Sequence, residues 1–488
     1  MKKIVIVGGG TSGLIAAAMM DNYWKDNVNI TLIYDPDNKN ISVGEGTTPG
    51  FVDLFEETLG HTRQDSIKKL DATIKLGILF KNWIPDEEYY HGFSQVNIEH
   101  VDDNYSSIHS LLNDCYDGGI NFNHANGLIP ENIDDDVAIA FHITADNISD
   151  FLFDYLKDRI TIVDDKISRV TSDGKNIQSV TGKNTGNYHA DLFVDASGFK
   201  SILLNELNPE WVDLSQHLPI DSAIPFKVPN NTNSIPTYTL SEATKNGWIW
   251  QIPTQDRFGT GYLYSSQFTT DDEAREDYNK WLLYNHGVQL DTDRIIKWKT
   301  GYYKDVWIGN CFAVGLSGGF TEPLEALSHQ YLIFMLEIFM SMNSTLKSVE
   351  YNRNRLNRCQ ERFFFDITNF INLHYCTNRN DSPFWKHMTN NKTEWVAGIE
   401  DKCKEEFIDL FKTDDMLDHW DNDNFIQIME GLHIFNKESF REYINSRKNS
   451  EYLHSDAKKQ HEYITGVKNS MTMIDHKEYL NSLKLPFI

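Results

Sequence analysis

The 488-residue chain has only five cysteines, and they are widely spaced along it. None belongs to a Cys-x-x-Cys pair, and an odd number of cysteines cannot all be paired within one chain. A disulfide framework and a structural zinc site are therefore not expected. We expect no bound metal in this protein.

Long apolar runs are also missing. The first one, residues 4–7, stops at Gly8, far short of the roughly 18 residues that a membrane-spanning helix needs. It does not continue into the longer apolar region and small-residue cleavage site of a signal peptide, so a buried first strand fits better. The sequence therefore predicts a cytoplasmic protein with no membrane partner.

Basic residues are scarce. The chain has 45 Lys and Arg against 71 Asp and Glu, which gives a formal net charge of −26. A surface this acidic repels nucleic-acid phosphates and anionic lipid, so neither is an expected partner. The content of 40% hydrophobic and 12% aromatic residues excludes global disorder, and the length suggests two to four lobes or one large α/β body with additions.

The N-terminus has the pattern of a β-α-β unit. Residues 2–7 are β-branched and apolar, residues 11–24 fit a helix, and residues 28–34 fit a second strand. Between the first strand and the helix, residues 8–13 read Gly-Gly-Gly-Thr-Ser-Gly, which fits G-x-G-x-x-G. Because this loop lies between a strand and a helix, the pattern predicts a dinucleotide site.

Five of the six residues of this loop have a predicted role. Gly8 permits the tight turn, Gly10 lets a pyrophosphate approach the backbone, and Gly13 lets the helix pack closely on the strand. Thr11 and Ser12 open the helix, whose first amides would meet the phosphate charge.

An acidic residue at the end of the second strand is expected to bind the ribose of an adenosine. Asp35 stands there, 35 − 13 = 22 residues past Gly13. No arginine stands beside it, so FAD or NAD is favoured over a cofactor with a 2′-phosphate. The alternative is that Asp35 caps a turn.

Three further segments place small residues after a strand, where main chain can approach a flat ligand. They are residues 42–49, residues 195–198 and residues 315–320. Together they outline an extended cofactor, which favours FAD over NAD. The predicted contacts in these segments are Gly44, Glu45, Gly198, Gly315 and Gly318.

The rest of the chain is predicted more coarsely. We expect a surface insertion over 98–150, strands within 160–195 and 235–268, one strand over 305–315, a helix over 324–342 and mainly helices beyond 345. The resulting division is a core over 1–345 with a discontinuous β-sheet substrate lobe, and a helical lobe over 346–488 that covers the substrate site.

Three motifs carry a family resemblance. Residues 248–253 read W-I-W-Q-I-P and match the W-x-W-x-I-P pattern of flavin-dependent halogenases. Residues 71–77, which contain Lys75, resemble the lysine segment of that family. Residues 309–325 resemble its N-C-x-A-x-G-L and E-P-L-E stretch. Over roughly residues 1–390 the chain resembles the tryptophan halogenase group.

The resemblance implies an α/β fold. It implies a Rossmann-type FAD lobe with a mixed sheet, like that of aromatic flavoprotein hydroxylases, and an added, mainly helical lobe. A separate NAD(P)H-dependent flavin reductase would supply reduced FAD. Oxygen and a halide ion would then give hypohalous acid, which halogenates an electron-rich aromatic such as an indole, tryptophan or a phenol. A homo-oligomer is compatible with this resemblance.

The resemblance also implies roles for single residues. Lys75 would hold hypohalous acid by a hydrogen bond or capture the halogen as a haloamine. Glu325 would polarise the oxidant, stabilise the cationic ring or accept the ring proton. Trp248 and Trp250, on one side of a strand, would form a wall beside the flavin. The pattern alone leaves a solvated lysine, a helix-start acid and an aromatic core pair as alternatives.

The turn after the glutamate departs from the family. Where the family usually continues Ser-Thr-Gly after Glu325, this chain has Ala326, Leu327 and Ser328, followed by His329. The family's halide contacts come from main-chain amides, which map to Leu327 and Ser328 and survive a change of side chain. We expect bromide or iodide to be used as well as chloride.

Two other functions fit the same cofactor. One is a flavin-dependent aromatic monooxygenase that hydroxylates its substrate, and the other is a flavin-binding protein without turnover. The W-x-W-x-I-P match and Lys75 favour a halogenase over both.

Overall fold

The architecture is that of a computed structural model. It describes residues 1–38, 44–93, 128–130, 138–232, 234–347, 349–405, 417, 419, 422–434, 442, 445, 446, 448 and 473–484.

The strands, numbered in chain order, are β1 (Lys2–Val7), β2 (Val28–Tyr34), β3 (Glu45–Gly46), β4 (Thr73–Lys75), β5 (Gly77–Lys81), β6 (Glu88–Gly92), β7 (Leu128–Pro130), β8 (Ala140–Ile143), β9 (Thr161–Asp164), β10 (Ile167–Ser172), β11 (Ile177–Gly182), β12 (Gly186–Tyr188), β13 (Leu192–Asp195), β14 (Trp211–Asp213), β15 (Ser222–Pro229), β16 (Tyr238–Ala243), β17 (Gly247–Pro253), β18 (Arg257–Tyr264), β19 (Ile296–Lys297), β20 (Gly301–Tyr303), β21 (Trp307–Ile308), β22 (Cys311–Ala313), β23 (Gly319–Phe320) and β24 (Met473–Asp475).

The α-helices are α1 (Thr11–Trp24), α2 (Pro49–Asp53), α3 (Arg63–Leu70), α4 (Ala145–Leu156), α5 (Asp271–His286), α6 (Leu327–Met342), α7 (Glu350–His374), α8 (Pro383–Asn390), α9 (Glu394–Glu405), α10 (Asn422–Gly431) and α11 (His476–Lys484). Short helical turns of other types are Lys25–Asn27, Leu54–Thr58, Gly198–Lys200, Leu204–Leu207, Gly315–Ser317 and Leu324–Ala326.

The chain forms two compact units, each assembled from three stretches of sequence. Unit 1 consists of Met1–Ala72, Phe141–Lys227 and Asp291–Ile367, and unit 2 of Thr73–Ala140, Val228–Leu290 and Thr368–Ile488. The division at 345/346, with a helical lobe covering the substrate site, stays a prediction.

Unit 1 contains a six-stranded sheet in the order β21-β22-β13-β1-β2-β9. All neighbours are parallel except β21, which pairs antiparallel with β22. The predicted β-α-β unit is confirmed, since β1, α1 and β2 have the expected bounds. Val7 lies between Ile33 and Asp195 in register, so the carboxyl ends of three strands meet at one edge. In open α/β sheets this edge is where ligands bind.

The core of unit 1 is apolar on both faces of this sheet. Val5, Phe193 and Cys311 from three neighbouring strands are buried in one cluster. The strands predicted within 160–195 are confirmed, and β10, β11 and β12 form a separate antiparallel sheet. The single strand expected over 305–315 is wrong. The backbone turns at Gly309, where φ is +55°, so β21 and β22 form a tight hairpin instead.

Unit 2 contains a sheet with the consecutive order β18-β17-β16-β5-β6. The strands predicted within 235–268 are confirmed as β16, β17 and β18, which pair antiparallel. In contrast, β5 pairs parallel to β16, with Gly77 opposite Tyr238. Trp83, Tyr375 and Trp385 pack their rings together within this unit, with centroids 5.1 Å to 5.9 Å apart.

Two expectations about element bounds are corrected. The helix predicted from residue 324 begins at Leu327, because Glu325 and Ala326 have left-handed backbones that end the preceding turn. Of the insertion predicted over 98–150, residues 98–127 and 131–137 lie outside the described residues. The end of that segment is not a surface insertion: β8 is fully buried, and the Thr144 side chain accepts a hydrogen bond that begins α4.

Candidate active site

The glycine loop after β1 is closely packed against its own unit. Gly8 donates a 2.9 Å hydrogen bond to Ile33 O, and a Cβ atom on Gly8 would lie 2.1 Å from Ala196 O. A Cβ on Gly13 would lie 1.9 Å from Gly8 O, so only glycine permits this approach. Helix α1 has neither a capping side chain at Gly10 nor an acid in its first turn. Its first amides and its dipole therefore suit an anionic group.

The later glycine segments meet this loop within unit 1. A Cβ on Gly315 would lie 2.2 Å from Ser12 Oγ, which places the turn after β22 beside the start of α1. The Ser317 hydroxyl donates to Gly198 O at 3.1 Å and joins that turn to the one after β13. Gly318 donates to Gly315 O at 2.9 Å and closes the turn. Three segments far apart in sequence thus form one backbone-lined edge.

Asp195 holds the turn that contains Gly198. Its buried carboxylate accepts hydrogen bonds from the Ser197 amide and hydroxyl at 3.0 Å and 2.6 Å. It also accepts from the Leu203 and Leu204 amides at 2.7 Å and 2.9 Å. Such a satisfied buried carboxylate fixes the backbone around it. The sequence predicted the turn but not the residue that shapes it.

Asp35 lies at the carboxyl end of β2, as predicted. Its carboxylate accepts a hydrogen bond from the Asp37 amide at 3.1 Å and lies 3.5 Å from Lys166 Nζ. The side chain before it, Tyr34, lies against the loop, since a Cβ on Gly9 would be 2.4 Å from Tyr34 Cβ. The turn-capping alternative is therefore realised, and the ribose contact stays a prediction that is compatible with it.

The turn before α6 is strained. Glu325 has φ 67° and ψ 6°, and Ala326 has φ 59° and ψ 31°, so two consecutive non-glycine residues are left-handed. Each costs on the order of 1–3 kcal/mol, and such strain clusters at functional sites. The residue before the helix, Ala326, has no polar side chain that could accept a hydrogen bond from the first amides of α6. Successive amides in such turns form concavities that bind anions.

The segment that contains Gly44 and Glu45 contacts the first turn of α6. Gly44 has φ +114°, a conformation that favours glycine. The Glu45 carboxylate lies 3.1 Å from His329 Nε2, and the Thr48 hydroxyl donates to Gln330 Oε1 at 2.8 Å. His329 therefore links Glu45 to the first turn of α6, a contact that no local sequence signal predicted.

Lys75 lies in unit 2 and is fully buried. Its Nζ atom lies 4.9 Å from the centre of the Phe93 ring, within the range of a cation–π contact. The neighbouring Thr73 donates its hydroxyl to Pro253 O at 2.6 Å. The segment of Lys75 is therefore tied to the end of the W-x-W-x-I-P strand, and the solvated lysine of the alternative interpretation is wrong.

Trp248 and Trp250 lie on β17 of unit 2, two residues apart and so on the same side of the strand. Trp248 is buried and Trp250 is half-buried. The Trp250 ring covers Gly261 of β18, where a Cβ would lie 2.0 Å from the indole. Packing within the sheet is thus one role of the pair, and the flavin wall stays a prediction.

The predicted residues divide between the two units. Unit 1 contains the predicted flavin contacts, the predicted halide contacts Leu327 and Ser328, and Glu325, whereas unit 2 contains Lys75 and both tryptophans. That Lys75 and Glu325 act on the same oxidant stays a prediction. Within the part of the chain that the structure describes, no group of three His, Cys, Asp or Glu residues is arranged to hold a metal ion.

Comparison with known proteins decides the family. The sequence profile of tryptophan halogenases matches residues 3–445, nearly the whole chain. The chain belongs to the tryptophan halogenase family. This halogenase is 30% identical to tryptophan 7-halogenase RebH of Lentzea aerocolonigenes, over 88% of this chain and 89% of that protein. It is 29% identical to tryptophan 6-halogenase ThaL of Streptomyces albogriseolus, over 83% and 81% of the two chains.

Solved structures confirm the predicted α/β fold. Tryptophan 6-halogenase SttH of Streptomyces toxytricini superimposes on the halogenase with a TM-score of 0.83 at 25% identity, covering 99% of this chain and 100% of the other. A flavin-dependent halogenase of Brevundimonas, BrvH, has the same fold at a TM-score of 0.81, 23% identity and 99% coverage of both chains. The family is one of flavin-dependent enzymes, which implies that this halogenase uses FAD.

Among the residues that the structure describes, no helix combines the length and the apolar character that crossing a bilayer requires.

Proposed function

We propose that this halogenase transfers a halogen from hypohalous acid to an electron-rich aromatic, with a tryptophan-like indole as the first candidate. The relatives named for tryptophan 7- and 6-halogenation support that substrate class. The observation that carries the proposal is a lysine side chain with no solvent exposure, in the segment that resembles the family's lysine. Fully buried lysines are rare unless a partner or a function retains them.

Reduced FAD fits the backbone-lined edge of unit 1. The uncapped start of α1 and the glycines that allow close packing around it suit a pyrophosphate. When bound, reduced FAD from a separate reductase supplies the oxygen activation by which O2, halide and a proton give hypohalous acid and water. The residues proposed to hold it are Gly8, Gly10, Thr11, Ser12, Gly13, Asp35, Gly44, Glu45, Gly198, Gly315 and Gly318.

The halide ion is proposed to bind the amides of Leu327 and Ser328. These amides follow the two left-handed residues of the strained turn and begin a helix without a side-chain cap. Backbone donors need no particular side chain, so the replacement of Ser-Thr-Gly leaves an anion site intact. Bromide and iodide oxidise more easily than chloride, and we expect both to be used as well.

Lys75 is proposed to direct the oxidant. A buried ammonium can donate a hydrogen bond to hypohalous acid, whereas a neutral amine can capture the halogen as a haloamine. Contact with the Phe93 ring stabilises a charged amine, whereas full burial favours a neutral one, so both routes stay open. In the aromatic step a carbon–halogen bond forms, the halogen–oxygen bond breaks, and hydroxide leaves as water with the ring proton.

Glu325 is proposed to assist that step. It is buried at the strained turn, where its carboxylate can stabilise positive charge on the ring or accept the ring proton. Because its backbone is left-handed, the Glu325 side chain leaves the chain in a different direction from that of a residue in a right-handed helix.

One experiment tests the reaction class. The protein is mixed with FAD, a flavin reductase, NADH, oxygen and a panel of indoles and phenols, once with bromide and once without. Halogenation gives products with the bromine isotope doublet in mass spectra, and only with bromide. An added oxygen in both mixtures would instead identify a hydroxylase. Bound FAD with no product in either mixture would identify a flavin-binding protein without turnover.

A competition assay tests halide use. Chloride, bromide and iodide are supplied at equal concentrations, and the halogenated products are quantified from the same reaction. We expect brominated or iodinated product at least equal to chlorinated product. A strong preference for chloride would contradict this part of the proposal.

A further inference from the structure

His476, the first residue of the C-terminal helix α11, is buried and uses both ring nitrogens. Its Nε2 lies 3.0 Å from the amide nitrogen of Ile74, and its Nδ1 lies 3.1 Å from the carbonyl oxygen of Ile235. The amide can only donate and the carbonyl can only accept. Nε2 must therefore accept and Nδ1 must carry the hydrogen, so the contacts require a neutral ring in one tautomer.

The imidazole occupies a defined place in the sheet of unit 2. Leu76 donates its amide hydrogen directly to the carbonyl of Thr237 at 2.7 Å. Two residues earlier on each chain segment, the corresponding pair is Ile74 and Ile235, and here the ring of His476 stands between donor and acceptor. The ring of His476 thus bridges the segments of Ile74 and Ile235 at the position where a direct backbone hydrogen bond would otherwise extend the parallel pairing.

Lys75 lies between these two connections. The amide of the residue before it, Ile74, donates to the histidine ring. The amide of the residue after it, Leu76, donates to Thr237 O. We propose that His476 is a positioning residue that fixes the backbone of Lys75 and makes docking of the C-terminal segment a condition for efficient halogen transfer. The part that concerns halogen transfer rests on the function proposed for Lys75.

The described residues on either side of His476, within 473–484, belong to the same unit. Strand β24 pairs antiparallel with β7, and Tyr479 and Leu480 of α11 are buried. Burial lowers the pKa of His476 to about 4, in line with the neutral ring that its two partners require. A displaced ring would leave two buried backbone groups without partners, which is costly enough to loosen the segment.

The test compares His476→Phe with His476→Gln. Phenylalanine fills the space without a donor or acceptor, whereas the glutamine amide can accept from Ile74 and donate to Ile235. Hydrogen exchange of peptides from 73–81 is measured, with peptides from 257–264 as the internal reference. Product formed per reduced flavin oxidised is measured in parallel, together with the rate of flavin oxidation itself.

We expect His476→Phe to exchange faster in 73–81 than wild type while 257–264 is unchanged. Its product per flavin should fall about 10- to 100-fold, the scale of a small misplacement of a reacting group. Flavin oxidation should stay within about twofold, and His476→Gln should recover most of both losses. Wild-type exchange and product yield in His476→Phe would overturn the proposal. Uniformly faster exchange in both peptides without recovery in His476→Gln would also overturn it, because that result marks a general loss of folding.

Lys75→Ala separates this inference from the proposed function. If Lys75→Ala still halogenates at the wild-type rate, the role of Lys75 is wrong and the inference loses its catalytic part. The exchange of 73–81 in His476→Phe still decides whether the histidine holds this backbone.

Discussion

The candidate site of unit 1 is formed mainly by backbone atoms, whereas that of unit 2 depends on side chains. In unit 1 the edge of the sheet is lined by backbone, with glycines where other side chains would collide and helix amides where an anion would bind. In unit 2 the buried Lys75 is surrounded by side-chain contacts, such as Thr73 to Pro253 and His476 to Ile74. A backbone site tolerates exchange of neighbouring side chains, whereas a side-chain site depends on single residues far apart in sequence. If the amides of Leu327 and Ser328 bind halide as proposed, the turn before α6, with Ala326 in place of the family's serine, is an example of that tolerance.

Lys75→Ala tests the side-chain site of unit 2, and we expect it to reduce product formation more than any other change. We expect halogenated product to fall about 10³-fold, because the buried amine that directs the oxidant is lost. The rate of flavin oxidation should stay close to wild type, because the predicted flavin contacts lie in unit 1. The matched control is Lys81→Ala, since Lys81 is a partly exposed lysine of β5 that lies 3.8 Å from Glu242. The buried Glu242 keeps its hydrogen bonds from Asn82 Nδ2 and Trp281 Nε1, both 3.0 Å, so we expect Lys81→Ala to stay folded and active. Near-normal product from Lys75→Ala would remove Lys75 from the mechanism.

Glu325→Gln tests the one side chain of unit 1 that is expected to act chemically. The neutral amide cannot accept the ring proton, so we expect the aromatic step to slow about 10²-fold in single-turnover product formation. The control is Glu337→Gln, on helix α6, which follows the turn that contains Glu325. Burial and the nearby Glu57 and Asp53 raise the pKa of Glu337, so its replacement removes repulsion without touching the turn. An unchanged rate in Glu325→Gln would exclude Glu325.

Sequence reasoning succeeded where the determinants are local. The bounds of β1, α1 and β2 follow from apolar runs and glycines within the first 34 residues, and the structure has the same bounds. It failed at the start of α6, because helix patterning does not report that Glu325 and Ala326 are left-handed. It could not find His476, a histidine without a motif that meets its partner 402 residues away. Local patterns specify a backbone site, but only tertiary packing brings such side chains together.

The stability of unit 2 should depend on the protonation of His476. Its pKa is lowered from 6.5 to about 4 by burial, so the unfolded chain binds more protons between these values. The contribution is therefore complete above about pH 6.5 and is lost as the pH falls towards 4. The unfolding free energy of wild type, measured relative to that of His476→Gln, should fall by about 3 kcal/mol from pH 7 to pH 4. Denaturant titrations at several pH values measure it. A constant difference would contradict a neutral buried ring.

Gly13→Ala tests the backbone-lined edge of unit 1, and we expect it to have the smallest effect of the four predictions. The added methyl group would lie 1.9 Å from Gly8 O and 3.2 Å from Ala196 Cβ, so α1 must move away from the strand. Such overpacking costs about 1–3 kcal/mol, and we expect about tenfold weaker FAD binding in a fluorescence titration. Gly398→Ala is the matched control, because Gly398 lies in α9 with no atom within 4 Å of its added Cβ. There the same substitution should stabilise the helix by about 0.5–1 kcal/mol and leave FAD affinity unchanged. Equal FAD affinity in both variants would mean that the flavin does not depend on this close approach of backbone to backbone, and the contrast between the two units would lose its physical basis.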